Sequence, residues 1–199
     1  MYASAFVLGF HGCDESVGEK ILAGEEQLKV SDNKYDWLGE GIYFWENSPS
    51  RALHWANFIK DNPKKFKSRI EKPFVIGAII DLGICLDLTE AGSLDYVKSG
   101  YVSLKALFDA VELPLPINKQ GDTHDEDLVL RHLDCAVINH VHDLREETNL
   151  AAYDSVRGVF LEGAPLYDGA RIMAKTHIQI CVRYNRSIRG YFRPIPESV

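Results

Sequence analysis

A chain of 199 residues, 46% hydrophobic and 26% charged, is the size of one large domain or two small ones and can bury a core without a disulfide or metal staple. Its formal charge of −7 argues against a surface that grips nucleic acid non-specifically, because that mode needs many Lys and Arg contacts to phosphate; only "NPKKFKSR" (62–69) is locally basic. No apolar run approaches the ~20 residues that span a bilayer, and Cys13, Cys85, Cys135 and Cys181 form no C-x-x-C pair, as expected of free, mostly buried thiols in a reducing cytoplasm.

In chain order, 3–11 is apolar and strand-like, and it lacks the basic flank of a signal peptide. Residues 17–25 have helical spacing and 29–41 read as a loop. A short aromatic strand follows at 41–45. The spacing then predicts a helix over 48–61, with Ser48 as N-cap, Pro49 in the first turn, and Ala52, Trp55, Ala56 and Ile59 on one face. The run 73–88 is the strongest buried-strand signal, with its strand placed at 73–82. Amphipathic stretches at 91–111 and 126–145 flank a Pro-containing linker, and strands resume at 156–161, 176–183 and 188–193. His132, His140 and His142 invite a metal reading, but the "HVH" spacing splits two of the rings between faces and no carboxylate pattern completes a site.

The element order lacks the regular alternation of a doubly wound sheet, and no G-x-G-x-x-G follows a strand. The expected architecture is a single α+β domain over 1–199, with split, mainly antiparallel β-sheets and a helical insertion at about 89–150.

Two fragments carry the chemistry. "FHG" (10–12) ends the first strand and "GEGIYF" (39–44) begins the next. Taken singly, His11 reads as a packed strand residue and Tyr43, beside Phe44 and Trp45, as a core aromatic. In this order and at this separation they resemble the diphtheria-toxin-like and poly(ADP-ribose)-polymerase-like ADP-ribosyltransferases, whose H-Y-E pattern draws its histidine and tyrosine from such strands. The likeness covers residue 5 to about 58 and 156 to 195. In the late strand "HIQICVRY", Gln179 stands where the family has glutamate.

The resemblance implies an NAD cleft and no metal. It gives His11, Tyr43 and Gln179 the catalytic positions and Gly12, Tyr35, Gly41, Arg51 and His54 the cofactor-binding ones. His11 would bond a ribose hydroxyl, the Gly12 backbone would pair with the nicotinamide carboxamide, and Tyr43 would stack on the ring. One site further requires that His11 and Tyr43 lie within about two side-chain lengths and not on opposite faces of a sheet. Breaking the nicotinamide–ribose bond generates an oxocarbenium-like centre. A carboxylate at ~4 Å from it contributes on the order of 4 kcal/mol at an effective dielectric near 20, roughly a thousandfold in rate. Glutamine lacks that charge, and Glu162 and Glu46 are the substitutes to consider.

The implied activity is mono-ADP-ribosylation of a macromolecular acceptor, protein or nucleic acid. The setting is that of a cytoplasmic bacterial or phage-related toxin or effector, with a neutralising antitoxin or immunity protein as partner and no membrane. Two other readings remain: a non-catalytic NAD or ADP-ribose-binding module, and an NAD-dependent RNA 2′-phosphotransferase. The second needs converging basic residues that this acidic chain lacks near the site.

Overall fold

The structure is a computed structural model that describes residues 6–66, 68–121 and 127–195. The first strand, β1 (Phe6–Asp14), runs three residues beyond its predicted end, so His11 and Gly12 lie inside it. Asp14 stops it by capping α1 (Glu15–Leu22), its Oδ1 accepting from Ser16 N at 3.0 Å. Its Oδ2 accepts from the Glu71 and Lys72 amides at 2.8 and 3.0 Å, which fixes the approach of the next long strand. The Ser16 hydroxyl and these amides hold the Asp14 carboxyl well below the usual carboxylate range.

The run 73–88 is two strands. β3 (Pro73–Asp81) pairs antiparallel with β1 along its whole length, from Phe6↔Asp81 to Asp14↔Pro73. Gly83 then adopts φ 56°, which costs a side-chain-bearing residue more than glycine. Gly83 N donates to Asp81 Oδ1 at 3.1 Å and Ile84 N to Asp154 Oδ2 at 3.0 Å, completing the turn. The chain resumes as β4 (Cys85–Asp87), which pairs parallel with β5 (Ser155–Phe160). Hydrophobicity alone did not reveal this break, because the residues on both sides of Gly83 are apolar.

With β2 (Ile42–Glu46), β6 (His177–Val182) and β7 (Ile188–Phe192), the strands form one seven-stranded sheet in the order β4-β5-β6-β2-β1-β3-β7. The fold is thus α+β and mainly antiparallel, but hydrogen bonding joins what the sequence reading took as split sheets. The joint is narrow: β1 meets β2 at Gly9↔Glu46 and Phe10↔Trp45, and the strands then diverge. Burial explains the join, since Phe44 and Ile42 of β2 share one core with Ile76 and Ile80 of β3.

Each face of the sheet carries helices. On one, α1 places Ile21 against Phe44, Ile76 and Ile180. On the other, α2 (Pro49–Asp61) covers Phe10 and Trp45 through Ala52. Ser48 occupies the N-cap position without a side-chain cap bond, so Pro49 alone marks the start as expected. Trp55, predicted on the inner face, is 38% exposed and stacks on Phe58. Ala52 and Ala56 let the helix approach β1 too closely to admit an indole between them.

The same face is covered over β4, β5 and β6 by α3 (Ala91–Ala110) and α4 (His132–Glu147). Ile138 and Val141 of α4 share a core with Leu38, Leu86, Val156 and Cys181. The helical insertion is therefore part of the domain core. α4 begins six residues after its predicted start at 126, and 122–126 lie outside the described residues. His140 sits 3.0 Å from Ser103 Oγ, and His142 stacks edge-on against Tyr153. Among the described residues no group of three or more His, Cys, Asp or Glu is arranged to hold a metal, and no helix is long and apolar enough to cross a membrane. The four cysteines are free, and burial pushes the Cys13 thiol up to about 12 and those of Cys85 and Cys135 to about 11, so they are poor nucleophiles.

Candidate functional site

The two sequence fragments meet where β1 and β2 part. His11 Nδ1 lies 2.8 Å from the backbone oxygen of Tyr43. A carbonyl only accepts, so Nδ1 carries the proton and Nε2 keeps a free lone pair. Burial lowers the His11 pKa, and the bond to Tyr43 only partly opposes it, so the ring is neutral near pH 7. The Tyr43 hydroxyl donates to Gly39 O at 2.7 Å and accepts from Leu38 N at 2.8 Å. Burial raises its pKa well above the ordinary value, and the two bonds fix the plane of the ring.

Gly12 faces the same gap. Asn47 N donates to Leu8 O at 2.9 Å, so even-numbered residues of β1 direct their backbone groups toward β2. The ladder ends at Phe10↔Trp45, which leaves the Gly12 N–H and carbonyl aimed past the last pair. α2 closes the gap on one side, because a Cβ on Gly12 would stand 2.2 Å from Ala52 O.

Strand alternation corrects one expectation. Phe10 pairs with Trp45, so Phe10 and Gly12 share the face of Trp45 and Tyr43, whereas His11 pairs with Ile76 on the α1 face. The His11 and Tyr43 side chains therefore leave the backbone on opposite faces. They remain neighbours because the imidazole turns into the gap at the edge of β1 and reaches the Tyr43 backbone. Any ligand touching both must lie across that edge.

Gln179 stands on the Tyr43 face, half-buried, paired with Trp45 on one side and Gly158 on the other. Tyr43 is its diagonal neighbour, about 7–8 Å away in a regular ladder. Two residues along β6, His177 points to the same face and donates from Nδ1 to Lys175 O at 2.7 Å. Arg51 reaches in from α2, its Nη2 3.4 Å from His177 Nδ1 and 3.6 Å from Glu162 Oε2. His177 Nδ1 lies 3.5 Å from Glu162 Oε2. Arg51 Nε, His177 Nε2 and Trp45 Nε1 are buried without a partner, which marks this corner as polar and incompletely satisfied.

The remaining expected site residues lie apart. Tyr35 stacks edge-on against His132 at 5.8 Å, and its carbonyl accepts from Arg131 N, tying the 31–38 loop to the start of α4. Gly41 exchanges backbone bonds with Ser31 at 2.8 and 3.1 Å, so its polar groups are committed. His54 is on the exposed side of α2. Glu46 is on the α1 face, where Arg157 grips both oxygens at 2.6 and 3.1 Å, so it is no substitute for the missing glutamate.

Sequence reasoning passed over His177, although the alternation that places Gln179 on the Tyr43 face places His177 there too. It also passed over Asp36, whose Oδ2 is buried without a partner and whose pKa burial raises. Nothing in the polar loop "NKYDWLG" distinguishes that aspartate from an exposed one.

No protein-family model matches the chain, and no solved structure matches it. An uncharacterized protein of Methanocaldococcus jannaschii is 28% identical over 157 residues, which cover 76% of this chain and 63% of that relative. The chain thus spans less than two thirds of the relative's length.

Proposed function

We propose that the chain binds NAD across the β1–β2 edge and transfers ADP-ribose to a macromolecular acceptor, protein or nucleic acid, as a mono-ADP-ribosyltransferase. The observation that supports this best is the 2.8 Å contact of His11 Nδ1 with Tyr43 O, beyond which the ladder stops and the Gly12 backbone faces open space. A primary carboxamide both donates and accepts, as a strand neighbour does, so nicotinamide matches the missing partner of Gly12. The Tyr43 ring, held by its hydroxyl, offers a flat surface beside it. His11, on the other face, offers Nε2 as acceptor to a ribose hydroxyl of the same dinucleotide.

Holding NAD in one geometry lowers the entropic part of the barrier, and excluding water strengthens the polar contacts. No cysteine nucleophile is called for. A second reading, an NAD or ADP-ribose-binding module without transfer, is favoured by the uncharged amide of Gln179 on the Tyr43 face. Incubation with radiolabelled NAD in a cell lysate, followed by protease and nuclease digestion, separates the two. Label that becomes macromolecular and is released by one digestion supports transfer; binding of NAD with no nicotinamide release supports the module. A cytoplasmic toxin or effector neutralised by an antitoxin or immunity protein is the biological setting this reading carries.

A further inference from the structure

Two buried carboxylates flank this region, and their bonding differs. Both oxygens of Glu46 are held by Arg157 at hydrogen-bonding distance. Glu162 has Arg51 and His177 at 3.6 and 3.5 Å, too long for good hydrogen bonds. The His177 Nδ1 proton is already committed to Lys175 O. Glu162 is therefore neutralised by a neighbouring guanidinium while its lone pairs stay available. Its backbone is fixed, since its carbonyl accepts from Lys175 N at 2.8 Å and so continues the Phe160↔His177 register. That register puts the side chain on the face of His177, Gln179 and Tyr43. The side chain is 12% exposed, so it is sheltered yet reachable.

Resting on the NAD reading above, we propose that Glu162, delivered by the β5–β6 connection, is the catalytic carboxylate of this site, with Arg51 and His177 as its positioning residues. Gln179 then orients substrate through its amide, one residue pair or about 7 Å along the strand from His177. In the step, the C1′–N bond breaks and its electron pair goes to the pyridinium nitrogen, releasing neutral nicotinamide. A lone pair of an acceptor O–H or N–H forms the new bond to C1′, and the acceptor proton passes to Glu162 and on to solvent. The carboxylate opposes the positive charge at C1′ while that exchange proceeds.

The charged groups around Glu162 come from three directions. Burial raises its pKa and Asp127 adds to this, while Arg51, Lys175 and Arg131 oppose it. A carboxylate raised in this way gives an acid limb in the rate profile above the usual carboxylate range.

The test measures NAD affinity by calorimetry, nicotinamide release against pH, and melting temperature, for wild type and variants. Glu162→Gln should keep NAD affinity within about threefold, lower the release rate about 100-fold or more, and abolish the acid limb. Arg51→Gln should move that limb to higher pH. Glu162→Asp, which keeps the charge but retracts it, should keep the limb at a reduced rate even if the glutamine variant folds poorly. Release by folded Glu162→Gln within threefold of wild type, with the limb unchanged, overturns the assignment. A wild type that binds no NAD overturns the function reading itself, an outcome distinct from loss in the variant alone.

Discussion

Gly12 and Ala52 are in backbone contact: a Cβ on Gly12 would meet the Ala52 carbonyl oxygen at 2.2 Å. The listener to that contact is the first turn of α2, which also carries Arg51. Gly12→Ala must push α2 off β1 and should cost about 1–3 kcal/mol, the usual range for overpacking. Chemical denaturation checks this. A variant as stable as wild type would show that α2 moves freely over the gap.

Tyr43 separates hydroxyl from ring. Tyr43→Phe leaves Leu38 N and Gly39 O without their partner and should cost about 1–3 kcal/mol. The ring remains, so NAD affinity should fall far less than in Tyr43→Ala. Equal loss in the two variants would mean that the ring face makes no contact with the ligand.

Acid should destabilise the fold through buried histidines. Burial lowers the pKa of His11 and His177, and brings His142 to about 3. Below pH 6.5 the unfolded chain binds protons that the folded chain refuses, so stability is full above that value. For His142 it falls from pH 6.5 toward 3, by up to about 1.4 kcal/mol per pH unit. Both His142 ring nitrogens are buried without partners, so His142→Leu should flatten this slope without loss at neutral pH. Urea midpoints at pH 7, 5.5 and 4.5 measure it, and an unchanged slope in the variant would contradict the assignment.

Glu46 and Glu162 should respond oppositely to the same change. Glu46→Gln leaves Arg157 buried beside Asp87 alone and should cost about 3 kcal/mol. Glu162→Gln breaks no short bond and should cost well under half of that. Parallel melting curves decide, and the reverse order would make Glu162 the structural carboxylate.

The sequence exposed the strands and the order of "FHG" and "GEGIYF", because periodicity and glycine placement are local. It hid whatever depends on pairing. The run 73–88 looks continuous, yet Gly83 turns it so that β3 and β4 stand near opposite edges of the sheet. That His11 and Tyr43 leave on opposite faces follows from Phe10 pairing with Trp45, a register fixed by tertiary packing. The Arg51–Glu162–His177 corner joins three segments far apart in the chain and was visible only once β5, β6 and α2 were in place.

The central claim is that the β1–β2 edge is an NAD site. Calorimetric titration of purified protein with NAD, wild type beside His11→Ala, tests it most directly. Saturable binding by the wild type, weakened at least tenfold in a folded His11→Ala, is the result predicted. No binding by the wild type at millimolar NAD, or equal binding by both proteins, would contradict it.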